Sequence, residues 1–437
     1  MIKVHRIKLL FLAVVGFIIV FLIFMNKEKE TVTLEFGMFA GSNWEVPNGN
    51  CYAIIDSAIK RFEKENPGVK IHYSSGILKE DYSEWFSKQL LLGKEPDVFM
   101  VLEDDFITFS SIGVLKNLDK FINNDKGFKK EAFYSSVLGE GRYEESQYAL
   151  PYETVPVLMF ANKTLLKSEG IEIPDRDWTW DKFYEICEKV TKDTDADGVV
   201  DQFGSYDYSW ENAVFANGGK LFQDKGSKCY VGSDNVVEAV KFVYKLNQLN
   251  QNHQVTSEEF DSGKVAFRPF PFSEFRSYQD YPLKVKKYSN FEWDCITMPA
   301  GPKGDNISQI STLQIGISAR TTKEQLAWKF IKYLTYNPQT QLDIYRYSQG
   351  ASVLKEVTES EVVNEELKKE VEKGARIIDN VLLSRIIEHA RTVPKFPKYK
   401  TTKIMVENQI DQILQSDDNK RSSLMAIQWE IDKFLKK

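Results

Sequence analysis

The sequence predicts an α/β protein with two lobes, a helical C-terminal region and an N-terminal membrane segment. From residue 31 onward, segments whose apolar residues alternate as in strands are separated by segments with helical spacing. Two apolar strand-like segments, near residues 155 and 296, lie far apart and indicate that the chain leaves the first lobe and later returns. From residue 359 to the end, apolar residues recur almost only at helical spacing. We therefore expect two interleaved α/β lobes with a helical end.

The first lobe is predicted to begin with the order strand, helix, strand, helix, strand. Its third strand is mostly apolar, which is typical of a strand buried on both faces in a parallel or mixed sheet. In such a sheet, ligands bind just beyond the carboxyl ends of the strands. The predicted elements are Thr31–Phe39, Ile54–Phe62, Val69–Tyr73, Tyr82–Leu90 and Val98–Leu102, with helix stops at Asn66–Gly68 and Gly93.

The second lobe is predicted to open with the apolar strand Val155–Phe160 and to continue with mainly helical patterns from 164 to 249. An alternating strand at Phe291–Pro299 precedes a strand at Leu313–Ser318 and a helix at Lys323–Leu334. The predicted division assigns 1–30 to membrane targeting, 31–155 with 300–336 to the first lobe, and 156–299 with 337–437 to the second.

Composition and charge exclude several classes of protein. The chain of 437 residues has 57 Lys and Arg against 63 Asp and Glu, a net charge of -6, so no basic field exists to hold nucleic acid. Its four histidines and four cysteines are scattered, which predicts neither a zinc site nor a catalytic triad. Cys187 lies on an apolar helical face and is predicted to be a buried small hydrophobe. The disulfide state is left open for Cys51, Cys187, Cys229 and Cys295.

The amino terminus predicts export. Leu9–Phe24 is an apolar run without a charge, basic residues precede it, and no small-x-small cleavage site follows it. We interpret the run as an uncleaved signal-anchor, with a cleavable signal peptide as the alternative. The basic residues before the run place the start of the chain inside the cell and the globular body outside.

Several segments, in the same order, resemble the family 1 extracellular solute-binding proteins of ABC importers, relatives of the maltose-binding protein. The resemblance covers about Thr31 to Lys437. It implies a type II periplasmic-binding-protein-like fold, in which two lobes close about a hinge on a sugar or oligosaccharide that a membrane permease then receives. The segments are FEKENPGVKIHY (Phe62–Tyr73), PDVFMV (Pro96–Val101), ALPYETVPVLMFANKTLLKSEGIEIP (Ala149–Pro174), WTWDKFYEICEKVTK (Trp178–Lys192), FDSGKVAF (Phe260–Phe267) and WDCITMPAGPKG (Trp293–Gly304).

Two candidate ligand contacts follow strands of the first lobe. Pyranose rings present an apolar C–H face and a rim of hydroxyls, so their sites combine flat aromatic rings with carboxylates and amides. Trp44 lies in a polar loop after the first strand, where the alternative is a surface or packing role. Asp104 follows the third strand, where the alternative is a solvated strand end.

Further candidates lie in segments shared with the family. By the resemblance, Tyr152 and Glu153 line the cleft; the alternative is a buried aromatic and an exposed acid. Trp210 is a candidate that could instead pack beneath its helix. After FDSGKVAF the family often has Gly and Trp contacts, and this chain departs from that pattern, which leaves the role of its residues open. The residues there are Arg268, Phe270 and Phe272.

The segment Asp193–Asp201 has the spacing of a calcium loop, with carboxylates at positions 1, 3, 5 and 9 and glycine at 6. The twelfth position is Gly204, so calcium would need a ligand from elsewhere or would bind weakly; the alternative is an acidic turn. This structural calcium is the one possible cofactor, and none is required. Its predicted ligands are Asp193, Asp195, Asp197, Val199 and Asp201.

The leading hypothesis is a non-enzymatic binding protein that delivers a sugar or oligosaccharide to an ABC permease. A carbohydrate-active enzyme would need two carboxylates about 5 to 10 Å apart, and no pair stands out in the sequence. A membrane-tethered sensor of the same fold is a third hypothesis. We expect a monomer on the outer face of a membrane. Because the run is not followed by the lipid-modified cysteine usual in Gram-positive members, the anchor of this protein, expected to be Gram-positive, would be polypeptide.

Overall fold

The computed structural model describes residues 31–46, 48, 50–223, 225–251, 253–280, 291–369, 378–416 and 419–436. The apolar run predicted to target the membrane, Leu9–Phe24, lies outside these residues. Among the described helices, none is both long enough and apolar enough to cross a bilayer.

The predicted strands form at the predicted places, with some shorter and two longer than expected. The crossing strand predicted at Val155–Phe160 begins six residues earlier and ends two later. Strands β4, β5, β7 and β8 were not predicted as strands. The bounds are β1 Val32–Gly37, β2 Val69–Tyr73, β3 Val98–Val101, β4 Arg142–Tyr143, β5 Ser146–Gln147, β6 Ala149–Asn162, β7 Phe203–Ser205, β8 Val265–Pro271, β9 Trp293–Ile296 and β10 Ile310–Ile317.

The strands of the first lobe form the mixed sheet that the sequence predicts, in the order β2-β1-β3-β10-β6. β1 pairs in parallel with β2 and β3, whereas β10 runs antiparallel to β3 and β6. Because β10 comes from late in the chain yet lies between β3 and β6, the predicted return to the first lobe is confirmed.

Strand β6 is shared by both lobes. Its residues 149–156 pair with β10, and its residues 157–162 pair with β8 on one side and β9 on the other. Strand β7 completes the second lobe by pairing in parallel with β8. One continuous strand therefore carries the chain from the first lobe into the second.

Helices flank the sheets on the faces that the apolar spacing predicts. The first helix buries Ile54, Ala58 and Phe62 on one side, and the second ends at Gly93, whose φ of 66° is left-handed. The bounds are α1 Ala53–Glu65, α2 Lys79–Leu92, α3 Glu103–Ser111, α4 Asp119–Asn124, α5 Ser135–Gly139, α6 Lys163–Ser168, α7 Trp180–Val190, α8 Trp210–Ala216, α9 Asp234–Gln248, α10 Ser257–Asp261, α11 Phe272–Asp280, α12 Glu324–Tyr336, α13 Pro338–Tyr347, α14 Lys355–Thr358, α15 Glu361–Lys369, α16 Asn380–His389, α17 Tyr399–Leu414 and α18 Lys420–Leu435.

The C-terminal helices divide between the two lobes. Helix α13 packs on α1 and α12 beside the first sheet, and the side chain of Gln341 donates to the carbonyl of Tyr152 at 3.0 Å. Helices α17 and α18 pack on α9 and join the core of the second lobe. The predicted division assigned all residues from 337 onward to the second lobe, and as a division into domains it stays a prediction.

The four cysteines are free. Cys187 is 1% exposed, which confirms the prediction of a buried small hydrophobe, and burial raises the pKa of its thiol. Trp178 and Trp180 pack at the start of α7, with 4% and 5% of their surface exposed.

Candidate functional site

The candidate site is the cleft between the two lobes, at the point where β6 changes partners. Strands β1 and β3 run parallel and end on this side of the first sheet. The last residue of β8, Pro271, pairs with Val157 of β6, so β8 and its parallel neighbour β7 end on the facing side of the second sheet. Carboxyl ends of strands from both lobes therefore point into one cleft, which is where ligands bind in open α/β sheets.

Trp44 is held in the loop that follows β1. The loop is fixed by the backbone of Ala40, which donates to the carbonyl of Ile77 at 2.6 Å, and by Lys79 Nζ, which donates to the carbonyl of Asn43 at 2.6 Å. The indole Nε1 of Trp44 donates to Glu153 Oε1 at 3.0 Å. Trp44 is partly exposed and also packs against the core of the first lobe, with its indole N–H tied inward to Glu153. The structure places this candidate at the predicted edge of the sheet.

Glu153 is buried, with 4% of its surface exposed. Its carboxylate accepts from Trp44, from the hydroxyl of Ser348 and from the backbone N–H of Gly350. Burial raises the pKa of this carboxyl group, while the three donors oppose that effect. Because protein donors surround the carboxylate, Glu153 holds the indole of Trp44 in place and does not face the open cleft.

Tyr152 lies at an irregularity in the pairing of β6 with β10 and is 3% exposed, within the core of the first sheet. Trp210, at the start of α8, is 5% exposed in the core of the second lobe. Neither ring presents a face to the cleft in this conformation, which corresponds to the packing alternative named for both. Their contact with a ligand stays a prediction.

Acidic residues at the start of α3 line the first-lobe side. Asp104 is exposed and pairs with Lys400 Nζ at 2.5 Å, which links α3 to the second-lobe helix α17. Asp105 accepts from the hydroxyl of Ser83 at 2.6 Å. Glu103 is solvent-accessible but lies among other chain segments, and this partial desolvation raises its pKa. The first turn of a helix is a favourable place for these charges.

Acids also line the second-lobe side. Asp207 follows β7, and Glu211 lies in the first turn of α8, where the side chain of Ser209 caps the helix. Partial burial raises the pKa of both carboxyl groups. Lys403 Nζ lies 3.3 Å from Glu211 Oε1. The phenol of Tyr399 lies near several of these carboxylates, and burial together with their charge raises its pKa.

The three candidates on and after β8 behave differently from one another. Phe270 and Phe272 are 2% and 0% exposed and pack in the core, so neither ring is open to the cleft. The guanidinium of Arg268 lies 3.4 Å from Glu274 Oε2 and 5.3 Å from the ring centre of Tyr206, next to Asp207. Arg268 is thus the member of this group nearest to the second-lobe acids.

Sequence reasoning missed several charged groups of the cleft, namely Asp207, Glu211, Lys400 and Lys403. Asp207 follows the strand β7, but this strand has only three residues, which is too short for alternating apolar residues to show it in the sequence. Nothing local in the sequence indicates that the two lysines of α17 reach acids so far back in the chain.

The acidic loop has a partly preformed shape. Carboxylate oxygens of Asp193, Asp195 and Asp197 lie within 4.8 Å of one another. Asp193 accepts from the N–H groups of Ala196 and Gly198, both at 2.7 Å. Asp201 instead accepts from the backbone and hydroxyl of Thr194. Val199 is 58% exposed. The structure thus brings three predicted calcium ligands together and gives the fourth carboxylate, that of Asp201, another partner.

A cavity of about 1080 Å³ opens beside the cleft. It lies between the residues around α5 and β4, the residues after α8, and the segment that links α16 to α17. Tyr399 and Lys395 line it, and Lys395 Nζ also pairs with the buried Glu140 at 2.7 Å. Both lobes therefore contribute walls to this cavity.

Curated proteins with similar sequences include two with sugars in their names. The chain is 22% identical over 395 residues to the maltotriose-binding protein of Pyrococcus abyssi, covering 88% of this chain and 79% of that one. It is 24% identical over 301 residues to the multiple sugar-binding protein of Streptococcus mutans, covering 65% of this chain and 68% of that one.

Solved structures share the fold. The cyclic alpha-maltosyl-1,6-maltose binding protein from Arthrobacter globiformis aligns with a TM-score of 0.76 at 15% identity, covering 93% of this chain and 98% of that one. The sugar-binding protein MalE from Xanthomonas citri aligns with a TM-score of 0.75 at 14% identity and the same coverage of each chain, 93% and 98%. These alignments confirm the two-lobed α/β fold. The model of the bacterial extracellular solute-binding protein family matches residues 48–341, more than half of the chain. The chain therefore belongs to the bacterial extracellular solute-binding protein family.

Proposed function

We propose that this protein captures a sugar or oligosaccharide between its lobes and delivers it to the membrane permease of an ABC importer. The observation that carries the proposal is the placement of Trp44, a partly exposed ring on a fixed loop at the carboxyl edge of the first sheet. An aromatic face suits the C–H face of a pyranose, and the carboxylates of Asp104 and Asp207 suit its hydroxyls. The names of the maltotriose- and multiple sugar-binding relatives support the same class of solute.

An oligosaccharide suits the available space better than a single sugar. The neighbouring cavity of about 1080 Å³ is slightly larger than the range of about 300 to 1,000 Å³ for small-molecule sites. A chain of several sugar units would extend from the ring of Trp44 toward Tyr399. Under this proposal the part of the cleft beside Trp44 binds one sugar unit and the cavity binds the others.

A glycan panel tests the proposed function. Purified protein is titrated by thermal shift and then calorimetry with maltose, maltotriose, longer maltodextrins, other oligosaccharides, a peptide mixture and a polyamine. We expect an oligosaccharide to raise the melting temperature and the Trp44→Ala variant to bind it at least about tenfold more weakly. Trp429→Ala is the matched control, because this tryptophan is 66% exposed on α18. Binding of a peptide or polyamine with no glycan bound would show the sugar assignment to be wrong.

We propose that binding occurs without chemistry. A glycosidase would cleave maltotriose during a long incubation, and chromatography of the products detects this directly. A tethered sensor of the same fold is the second alternative, since the predicted anchor is not the lipid that is usual in Gram-positive members. Co-purification of the native protein with permease subunits supports the importer, whereas co-purification with a signalling protein supports the sensor.

We propose that the body is extracellular, monomeric and held at the membrane by its N-terminal segment. The family description supports the extracellular location. Mass spectrometry of the native protein checks the anchor, because a mature chain that starts near Glu28 would mean cleavage and release. Native mass spectrometry gives the oligomeric state.

We also propose a structural calcium ion in the acidic loop. Its support is the cluster of carboxylate oxygens from Asp193, Asp195 and Asp197, which are hard ligands of the kind calcium prefers. The loop connects α7 to β7, and Asp207 follows β7. Calcium would therefore stabilise the second-lobe side of the cleft without taking part in binding.

A further inference from the structure

Arg276 connects the second lobe to a helix packed on the first. It lies in α11, directly after β8, and 3% of its surface is exposed. Its guanidinium donates to the carbonyl oxygens of Tyr345 at 2.5 Å and Gly350 at 3.0 Å, at the C-terminal end of α13. The ring centres of Phe272 and Tyr345 lie 5.9 and 5.7 Å from the guanidinium carbon. A cation at a helix C-terminus is favoured by the helix dipole, so this contact holds two layers together.

Gly350 connects Arg276 to Glu153. The carbonyl of Gly350 accepts from Arg276, and its N–H donates to the carboxylate of Glu153. An ideal Cβ at position 350 would lie 2.2 Å from Glu153 Oε1, so the close approach requires glycine. The charge of Arg276 also favours the ionised form of Glu153. The two buried ionisable groups are therefore linked through one residue.

Glu153 extends this network to the cleft. Its Oε1 accepts from Trp44 Nε1 at 3.0 Å and from the hydroxyl of Ser348. The path from the partly exposed ring to the second lobe is Trp44, Glu153, Gly350 and Arg276. Buried polar networks of this kind are rigid when every member is bonded, and a break leaves the other members unpaired.

We propose that Glu153 and Arg276 are positioning residues, which couple the orientation of the Trp44 ring to the relative placement of the lobes. The proposal rests on the proposed function only in that Trp44 is the ring that contacts the solute. Energetic coupling is reciprocal, so a solute that fixes the ring stabilises the contact of Arg276 with α13. Conversely, the Trp44 ring is held in its binding orientation in those arrangements of the lobes that keep the contact between Arg276 and α13.

The indole N–H of Trp44 tests this coupling without any solute. Its resonance in the nitrogen-15 NMR spectrum is the one lost in Trp44→Phe. We expect Glu153→Gln and Arg276→Lys to shift this resonance and to speed its hydrogen exchange about tenfold, since each weakens one buried link. Arg61→Lys is the matched control, because Arg61 bonds to the same helix α13 through Thr340 and Asp343. The control should leave the Trp44 resonance unchanged.

Titration with maltotriose by calorimetry then measures the consequence for binding. We expect about tenfold weaker binding in Arg276→Lys and Glu153→Gln. In a Trp44→Phe background, Arg276→Lys should cause no further loss, because the link through the indole N–H is already absent. A merely structural role of Arg276 would weaken binding equally in both backgrounds.

The outcomes separate the coupling from the sugar assignment. A folded Arg276→Lys protein with an unchanged Trp44 resonance and exchange rate would show that the coupling does not exist. If Arg276→Lys does not fold, Glu153→Gln and Ser348→Ala provide the same readout from the other side of the network. A wild-type protein that binds no glycan, but whose Trp44 resonance responds to Arg276, would refute the proposed function and leave the coupling intact.

Discussion

Alanine at position 350 should destabilise the protein far more than most Gly to Ala changes. Its Cβ would lie 2.2 Å from Oε1, 2.4 Å from Cγ and 2.6 Å from Cδ of Glu153, so the carboxylate must move. Overpacking of this kind costs about 1 to 3 kcal/mol. The displaced carboxylate also leaves buried donors such as Ser348 unpaired, at about 1 to 3 kcal/mol each. We expect Gly350→Ala to lower the free energy of unfolding by about 3 to 5 kcal/mol.

Urea unfolding of a double-mutant cycle tests the cause of this loss. Glu153→Ala removes the atoms that the new Cβ would meet, so the double variant should lose about 1 to 3 kcal/mol less than the sum of the single variants. Gly139→Ala is the control, since a Cβ there would meet only Thr392 Cγ2 at 4.0 Å. Additive losses, or a Gly350→Ala variant as stable as Gly139→Ala, would refute the reasoning.

Three further predictions concern the same cleft and the acidic loop. Trp44→Phe should lower the free energy of unfolding by about 1 to 2 kcal/mol, measured with urea, because Glu153 loses one donor. The same variant should weaken glycan binding less than Trp44→Ala does, as measured by calorimetry, because the phenyl ring can still stack on the sugar. Equal losses of binding in the two variants would argue against stacking. Burial raises the pKa of Glu153 above its ordinary 4.5, so the folded protein holds this proton more tightly than the unfolded chain. The free energy of unfolding of the wild type relative to Glu153→Gln should therefore be highest below about pH 4.5 and fall as the pH rises through the raised pKa. Urea unfolding measures both proteins from about pH 4 to 8, and a difference between them that does not change with pH would contradict this. Calcium at about 2 mM should raise the melting temperature relative to chelator in the wild type and not in Asp195→Asn, and the same temperature in both conditions would remove the calcium proposal.

The alternation of strands and helices was predictable because each element buries one regular face. Helix α1 and the fully buried β3 have apolar residues at the spacing that their geometry requires. The positions of Trp44 and Asp104 beside the cleft also followed from the sequence, because residues after parallel strands collect at one edge of the sheet.

The partners of the site residues could not be predicted, since they depend on long-range packing. Asp104 pairs with Lys400 across 296 positions of sequence, and Glu153 meets Ser348 across 195. The burial of Phe270 and Phe272 could not be predicted either. Other elements cover β8 and the start of α11, and the local spacing of apolar residues does not distinguish a covered ring from an exposed one. The family resemblance indicated the crossing at Tyr152 and Glu153 but not the network behind it.

The position of β10 has a consequence for how the protein is made. Strand β10 fills the gap between β3 and β6, yet its residues 310–317 follow the whole second-lobe segment from 157 to 296. At synthesis rates of about 5 to 20 residues per second, the facing edges of β3 and β6 wait roughly 8 to 30 seconds for their partner. Open edges of this kind pair readily with other chains. Until β10 has been synthesised, the nascent protein therefore has two unpaired strand edges at the centre of its first sheet, those of β3 and β6.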